Sequence, residues 1–360
     1  MRKKHFLFAS VLALLCGSST LHAQDFKLTS SGYFKNQGVD VMAFDDIYPE
    51  GHQGGVCIIM NGHRVATNGD IRLEATPGQW QPVPKQLDRK LGDNSITATL
   101  CYPDSSRHLT GFNPMIYPYL HLIYTVNVES KGKNIEVTVD LDRPIPQEFI
   151  GKVGFNLEFF PGSLFGKPWI MDGQSGIFPQ QPNSPLMTTQ PNYLHTGNYH
   201  DGKKSLADMD KLIGKGYSPI VADDIISEPY AKGTKFTSRP DDPYNKVTIE
   251  SLSGDLQLFD GRMNHNNGWF VLRSNIKPGV TKGAVKWIIT PNVVADWMYQ
   301  PVIQTSQIGY HPTQDKEAVI EMDIRDSRKE TAQIIRIDAD GEKVVKNVTP
   351  ANWGKFLRYN

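Results

Sequence analysis

Residues 120–141 read LHLIYTVNVESKGKNIEVTVDL. In the second half, Ile135, Val137, Val139 and Leu141 alternate with Glu136, Thr138 and Asp140. A period of two puts the apolar set on one face of an extended strand and the polar set on the other. Such a strand buries one face against a core and leaves the other wet, the habit of antiparallel sheets. The run before it, 120–129, is also extended in character. Lys131-Gly132-Lys133 joins the two as a hairpin turn would. Two long strands joined by a tight turn predict an all-β fold.

Working outward, strand-like runs recur at 56–60, 71–75, 96–102, 153–160, 247–252, 256–259, 269–274 and 284–290. The rhythm breaks from 161 to 199, which is rich in Pro, Gly, Asn and Gln and includes FPGSLFGKPWIMDG (160–173) and GIFPQQPNSP (176–185). A loop of that length inside a domain is usually functional or disordered. Its Phe165, Trp169, Phe178 and Tyr193 argue against disorder. Residues 203–213 carry Leu206, Met209, Leu212 and Ile213 at helical spacing and form the one expected helix. We expect residues 24–300 to form one large β-sandwich, of a supersandwich, mutarotase-like kind, or two smaller sandwiches fused. A boundary is expected near Pro301.

Beyond that boundary, residues 302–324 read VIQTSQIGYHPTQDKEAVIEMDI. An extended run enters Gly309-Tyr310-His311-Pro312, a polar turn follows at 313–316, and a second extended run begins at Glu317. Ser306, Gln307, Gly309, Tyr310 and Pro312, then Lys316, Ala318 and Val319, keep the spacing of a known opening. In these residues the segment resembles the start of the immunoglobulin-like module that precedes the catalytic domain in glycoside hydrolase family 9, the cellulase-type enzymes. The resemblance implies that 301–360 is such a module. It also implies that the chain is the accessory N-terminal part of an enzyme acting on β-1,4-glucan or a related plant polysaccharide. The implied partners are that polysaccharide or its oligosaccharides, and a catalytic domain in the same polypeptide.

Family 9 hydrolysis uses paired aspartates in an Asp-Ala-Gly-Asp motif on a helical barrel and a distant glutamate as acid, consistent with the two carboxyl groups glycoside hydrolysis needs. This sequence has no such motif. The nearest string, Asp338-Ala339-Asp340-Gly341, reorders those residues between two extended runs and reads as a hairpin turn. No catalytic residue of the family can therefore be carried over. An immunoglobulin-like sandwich uses about seven strands; residues 302–360 hold fewer candidates, so the module is expected to be incomplete.

Arg2, Lys3 and Lys4 followed by an apolar run from Phe6 to Leu15 and by Leu21-His22-Ala23 read as a secretory signal over 1–23. The mature chain would then begin at Gln24 and be periplasmic or extracellular. Cys16 offers a lipid-anchor alternative, against which stands the bulky Leu15 before it. No later stretch approaches the ~20 apolar residues of a membrane helix. The 38 basic residues match 38 acidic ones, which argues against nucleic acid or an anionic membrane as partner and suits a neutral ligand such as a glycan. Cys57 and Cys101 lie in apolar runs, and either a disulfide or two buried thiols is compatible with export.

Sugar rings present an apolar face to aromatic side chains and hydroxyls to amides and carboxylates. Trp169, Tyr193 and Tyr199, with Asn192 and Asp172 nearby, are the glycan-contact candidates. Trp169 has core packing as its rival role, and Trp269 and Trp287 sit in strands as core residues. No cofactor is expected. The pairs Asp45-Asp46, Asp223-Asp224 and Asp241-Asp242 are loop charges or calcium ligands. His195 and His200 lack a third partner at metal-ligand spacing. A sugar mutarotase would need His195 or His265 to meet Glu158 or Glu228 in one cleft. A glycan-binding protein without hydrolytic activity is the other alternative.

Overall fold

The computed structural model describes residues 25–45, 54–74, 77, 84–102, 120–182, 186–187, 226–263, 268–326 and 331–355. These residues form strands and short 3-10 turns, and none is in an α-helix. The expected signal segment over 1–23, the expected helix over 203–213, and Asn192, Tyr193, His195, Tyr199 and His265 lie outside the described residues.

The fold is an all-β sandwich of two nine-stranded sheets. The first sheet runs Lys27–Leu28, Phe34–Asn36, Val39–Ala43, Val56–Met60, His63–Leu73, Val153–Phe159, Phe270–Asn275, Leu256–Asp260, Ala231–Gly233. The second runs Gln174–Ile177, Pro168–Met171, Lys235–Ser238, Val247–Ser251, Val285–Pro291, Asn134–Leu141, Ile123–Lys131, Ser95–Cys101, Lys85–Leu91. Named neighbours in both pair antiparallel.

The 120–141 stretch forms the predicted hairpin. Ile123–Lys131 pairs with Asn134–Leu141 out to Lys131↔Asn134, and Gly132 in the turn takes φ 65°, a left-handed conformation that glycine adopts without steric cost. Ile135, Val137, Val139 and Leu141 are buried, and Glu136, Thr138 and Asp140 are half-buried. The inward row meets the first sheet in one continuous core. There the Phe155 ring sits edge-on to Trp287 at 5.0 Å, Phe159 meets Phe236 at 5.8 Å, and Trp287 Nε1 donates to Ser274 Oγ at 3.0 Å. Trp287 is thus a core residue, as expected, whereas Trp269 is half-buried just ahead of the strand Phe270–Asn275 and not in the core.

The 161–199 stretch departs from a plain loop. Pro168–Met171 and Gln174–Ile177 form an edge hairpin turning at Asp172-Gly173. Both turn residues have positive φ, 47° and 94°, as the Asp-Gly pair of a two-residue hairpin requires. Cys57 and Cys101 are free thiols. Cys57 belongs to the first sheet and Cys101 to the second; the Cys57 Sγ is 3.0 Å from Thr67 Oγ1.

After the sandwich, Val302–Gln304 pairs with Val319–Glu321, and Ala332–Asp338 pairs with Gly341–Val348. The turn expected at 338–341 is the turn of that last hairpin. Asp323 ties the first of these pairs to the chain leaving the sandwich. Its Oδ2 accepts the Tyr299 N–H at 2.9 Å, and both of its oxygens accept from Arg325, Oδ1 from Nε at 2.9 Å and Oδ2 from Nη2 at 3.0 Å. Arg325 also donates to the Trp297 carbonyl, which accepts the Gln37 side chain of the first sheet's turn at 2.7 Å. No helix among the described residues is long and apolar enough to cross a membrane.

Candidate functional site

The notable chemistry lies in the middle of the first sheet. Ile71, Leu73, Phe155, Leu157 and Leu272 of its central strands join the sandwich core. The intervening positions carry Asp70, Arg72, Asn156, Glu158 and Arg273. Register brings them together: Asn156 is opposite Asp70 on one side and Arg273 on the other. Period-two alternation normally sends such residues to solvent. Here they are buried: Asp70 is 0% exposed, Glu74 and Arg273 1%, Glu158 2% and Arg72 6%.

They are wired to one another. Arg273 Nη1 donates to Glu74 Oε1 at 3.1 Å and to Asn156 Oδ1 at 3.0 Å. Its Nη2 reaches the carbonyls of Glu74 and Lys152. Asn156 Nδ2 donates to Glu74 Oε1 at 2.5 Å, and Asn68 Nδ2 to Glu158 Oε2 at 2.5 Å. Arg72 Nη1 lies 3.6 Å from Asp70 Oδ2. From the second sheet, the Tyr124 hydroxyl donates to Asp70 Oδ1 at 2.9 Å, and Tyr102 donates to the Ile71 carbonyl at 2.9 Å. Gly154 makes room for this wiring: a Cβ there would lie 2.8 Å from Arg273 Nε.

Burial dominates the electrostatics. It pushes Glu74 up to about 7, helped by Glu158 and opposed by Arg273, Asn156 and Arg72. It pushes Asp70 up to about 6, against Arg72, the Ile71 N–H and Tyr124. It also raises Glu158 against Arg72 and Asn68. Burial lowers Arg273 against the pull of Glu74. It pulls Arg72 down too, but Glu158 and Asp70 with their neighbours outweigh it and leave that guanidinium raised. Four buried atoms of this network have no hydrogen-bond partner among the described residues: Asn68 Oδ1, Asp70 Oδ2, Arg72 Nε and Glu74 Oε2.

Of the glycan-contact candidates, Trp169 is in the core, 6% exposed. Its ring lies against Gly176 across the hairpin, where a Cβ would come within 2.5 Å. Its Nε1 has no acceptor among the described residues. Asp172 holds the hairpin to the next strand: Oδ2 accepts the Thr234 N–H at 2.5 Å and Oδ1 the Lys235 N–H at 3.0 Å. Those contacts, the Thr234 N–H foremost, hold its carboxyl below the usual range. Both candidates thus have structural work. Glu228 is exposed, whereas Glu158 is buried in the network. Asp242 accepts from Arg239, Tyr244 N and Asn245 within its own turn, and Asp45 lies 3.7 Å from Arg89. Among the described residues no three His, Cys, Asp or Glu side chains form a metal-holding group.

Sequence reasoning singled out Glu158 but passed over Asp70, Arg72, Glu74 and Arg273. Asp70-Ile71-Arg72-Leu73-Glu74 alternates like a half-wet strand, and only the strand pairing reveals its partners.

No family model matches the chain, and no curated protein matches it. Among solved structures, it is similar to the Slr1438 protein from Synechocystis sp. PCC 6803, with a TM-score of 0.32 and 11% identity over 81% of this chain and 100% of that one. HI1317 is similar with a TM-score of 0.30 and 8% identity, over 75% of this chain and 99% of that one. A likeness of that depth leaves function to be argued from the chain's own residues.

Proposed function

We propose that this chain is the accessory, non-hydrolytic part of an exported, family 9-like glycoside hydrolase acting on β-1,4-glucan or a related polysaccharide. One observation carries the reading. Four of the residues that bear the family resemblance, Ser306, Tyr310, Pro312 and Lys316, are bonded within one turn. The Tyr310 hydroxyl accepts the Ser306 N–H at 3.2 Å and donates to the Glu317 carbonyl. Lys316 Nζ reaches the carbonyls of His311, Pro312 and Gln314 at 3.0–3.4 Å. Tyr310 and Lys316 thus lock the turn between strands Val302–Gln304 and Val319–Glu321, which gives the sequence spacing a structural reason. In this role the large sandwich is a scaffold that presents the module to a catalytic domain of the same polypeptide. Periplasmic or extracellular placement follows from the N-terminal signal.

A second reading, a glycan-binding protein in its own right, is favoured by the edge hairpin. Its outer side leaves Ile170 and Ile177 exposed, and Phe165, in the turn that leads into it, is partly exposed; such apolar side chains are of the kind that meet a sugar ring. Affinity electrophoresis through gels containing soluble β-glucan separates the two. A scaffold migrates as it does in plain gels. A binder is retarded, and Phe165→Ala relieves the retardation while leaving the melting temperature in place. Hydrolysis of β-glucan by this chain, abolished by one Asp or Glu substitution, would overturn both.

A further inference from the structure

The network in the first sheet has an odd charge. Among the described residues it contains three carboxyl groups, Asp70, Glu74 and Glu158, and two guanidinium groups, Arg72 and Arg273. All five are more than nine-tenths buried. Among the described residues, the other side chains hydrogen-bonded to it are neutral: Tyr102 and Tyr124 on the side of the second sheet, Asn156 and Asn68 from the first. An isolated buried charge is costly enough that the group usually neutralises instead. A metal cation is disfavoured by the two guanidinium groups that already lie among the carboxylates, and an anion by the surplus negative charge. The ligand that balances this site is a proton.

We propose that the buried network binds one proton at neutral pH, held within the Asp70–Glu74–Glu158 set, and that its release as the pH rises loosens the centre of the first sheet. Geometry favours the Glu74 end. Asp70 Oδ1 is already supplied by the Tyr124 hydroxyl and the Ile71 N–H, and Glu158 Oε2 by Asn68. Glu74 Oε1 takes both of its donors, leaving Oε2 open and buried; Asp70 Oδ2 is open and buried too, but it faces the Arg72 guanidinium at 3.6 Å, which favours its ionised form. Burial raises all three carboxyl groups, which agrees with a proton held within the set.

The sign follows from linkage. A free glutamate loses its proton near pH ~4.3, so between that pH and about 7 the folded chain holds a proton that the unfolded chain has released. Stability contributed by the network is complete below the lower value and is lost as the pH rises through the upper one.

Scanning calorimetry at pH 6 in buffers of contrasting ionisation enthalpy counts the proton directly on the unmodified chain. We expect unfolding to release about one proton more from the wild type than from Glu74→Gln. Glutamine keeps the Oε1 acceptor for Asn156 and Arg273 and leaves two carboxyl groups against two guanidinium groups, so no proton is needed wherever it resided. The wild-type melting temperature should fall between pH 5 and pH 8, and that of the variant should change much less. Equal proton release from the two proteins overturns the proposal. So does a wild type that releases none, an outcome readable even if Glu74→Gln fails to fold.

Discussion

The large sandwich and the segment that follows it are built from the same β-hairpin grammar, yet they bury it differently. In the hairpin of Ile123–Lys131 and Asn134–Leu141, one row of side chains is sealed in the core, with Val126, Val128, Val137 and Val139 at 0% exposure. In the hairpin of Ala332–Asp338 and Gly341–Val348, Ile334, Ile335, Ile337, Val344 and Val345 are 44–76% exposed. A two-stranded hairpin alone is at best marginally stable in water, so the second hairpin contributes little to folding in this chain, whereas the first helps define the core. Charge follows the same division. Carboxyl groups in the sandwich network are pushed up by burial, while Asp323 after it is pulled down to about 2 by Arg325 and the Tyr299 and Arg325 N–H groups, against a smaller effect of burial.

The largest expected effect comes from removing a core aromatic. Trp287→Ala should cost ~3–5 kcal/mol, the range for aromatic deletions in cores, because it empties the contact with Phe155 and frees Ser274. Ile337→Ala, at a 76% exposed site, should stay within about 0.5 kcal/mol. Denaturant unfolding of both variants measures the contrast directly, and equal costs would break it.

Gly154→Ala should come next, at ~1–3 kcal/mol, the usual price of overpacking. The new methyl would meet Arg273 and the Ser274 carbonyl, each at 2.8 Å. Chemical denaturation checks it, and an unchanged midpoint would mean that the network has slack.

How much of this was legible in the sequence depended on whether a strand's partners advertised themselves locally. The 120–141 hairpin did so through strict alternation and Gly132. Lys85–Leu91 did not: KQLDRKL is an edge strand with both faces largely wet, so no apolar period marks it. His63–Leu73 was recognised only at its C-terminal end, because Asn68, Asp70 and Arg72 look solvent-facing when their cover is unknown. The network was illegible for a related reason. Its members run from Asn68 to Arg273 and meet only through the register of three strands. Asp172-Gly173 was a readable hairpin turn inside a stretch whose proline and glycine content masked the short strands on either side. Trp169 carried two rival readings until the hairpin placed it against the core.

The Asp323 clasp should give the smallest effect, and one of opposite sign to the network's. A carboxyl held at about 2 contributes stability above its unfolded value near 3.8 and loses it as the pH falls through 2. Arg325 is 40% exposed, so screening limits the gain to ~1 kcal/mol or less. Arg325→Ala should therefore leave the sandwich melting temperature nearly unchanged at pH 7 while increasing protease cleavage after Gln300. Equal cleavage of variant and wild type would show that the clasp does not hold the segment.

Hydrogen exchange followed by mass spectrometry tests the division most directly. Peptides from 123–141 should exchange only through global unfolding, and peptides from 332–348 should exchange faster by orders of magnitude, as hydrogen bonds with little buried apolar cover do. Protection of 332–348 equal to that of 123–141 in the isolated chain would contradict the account.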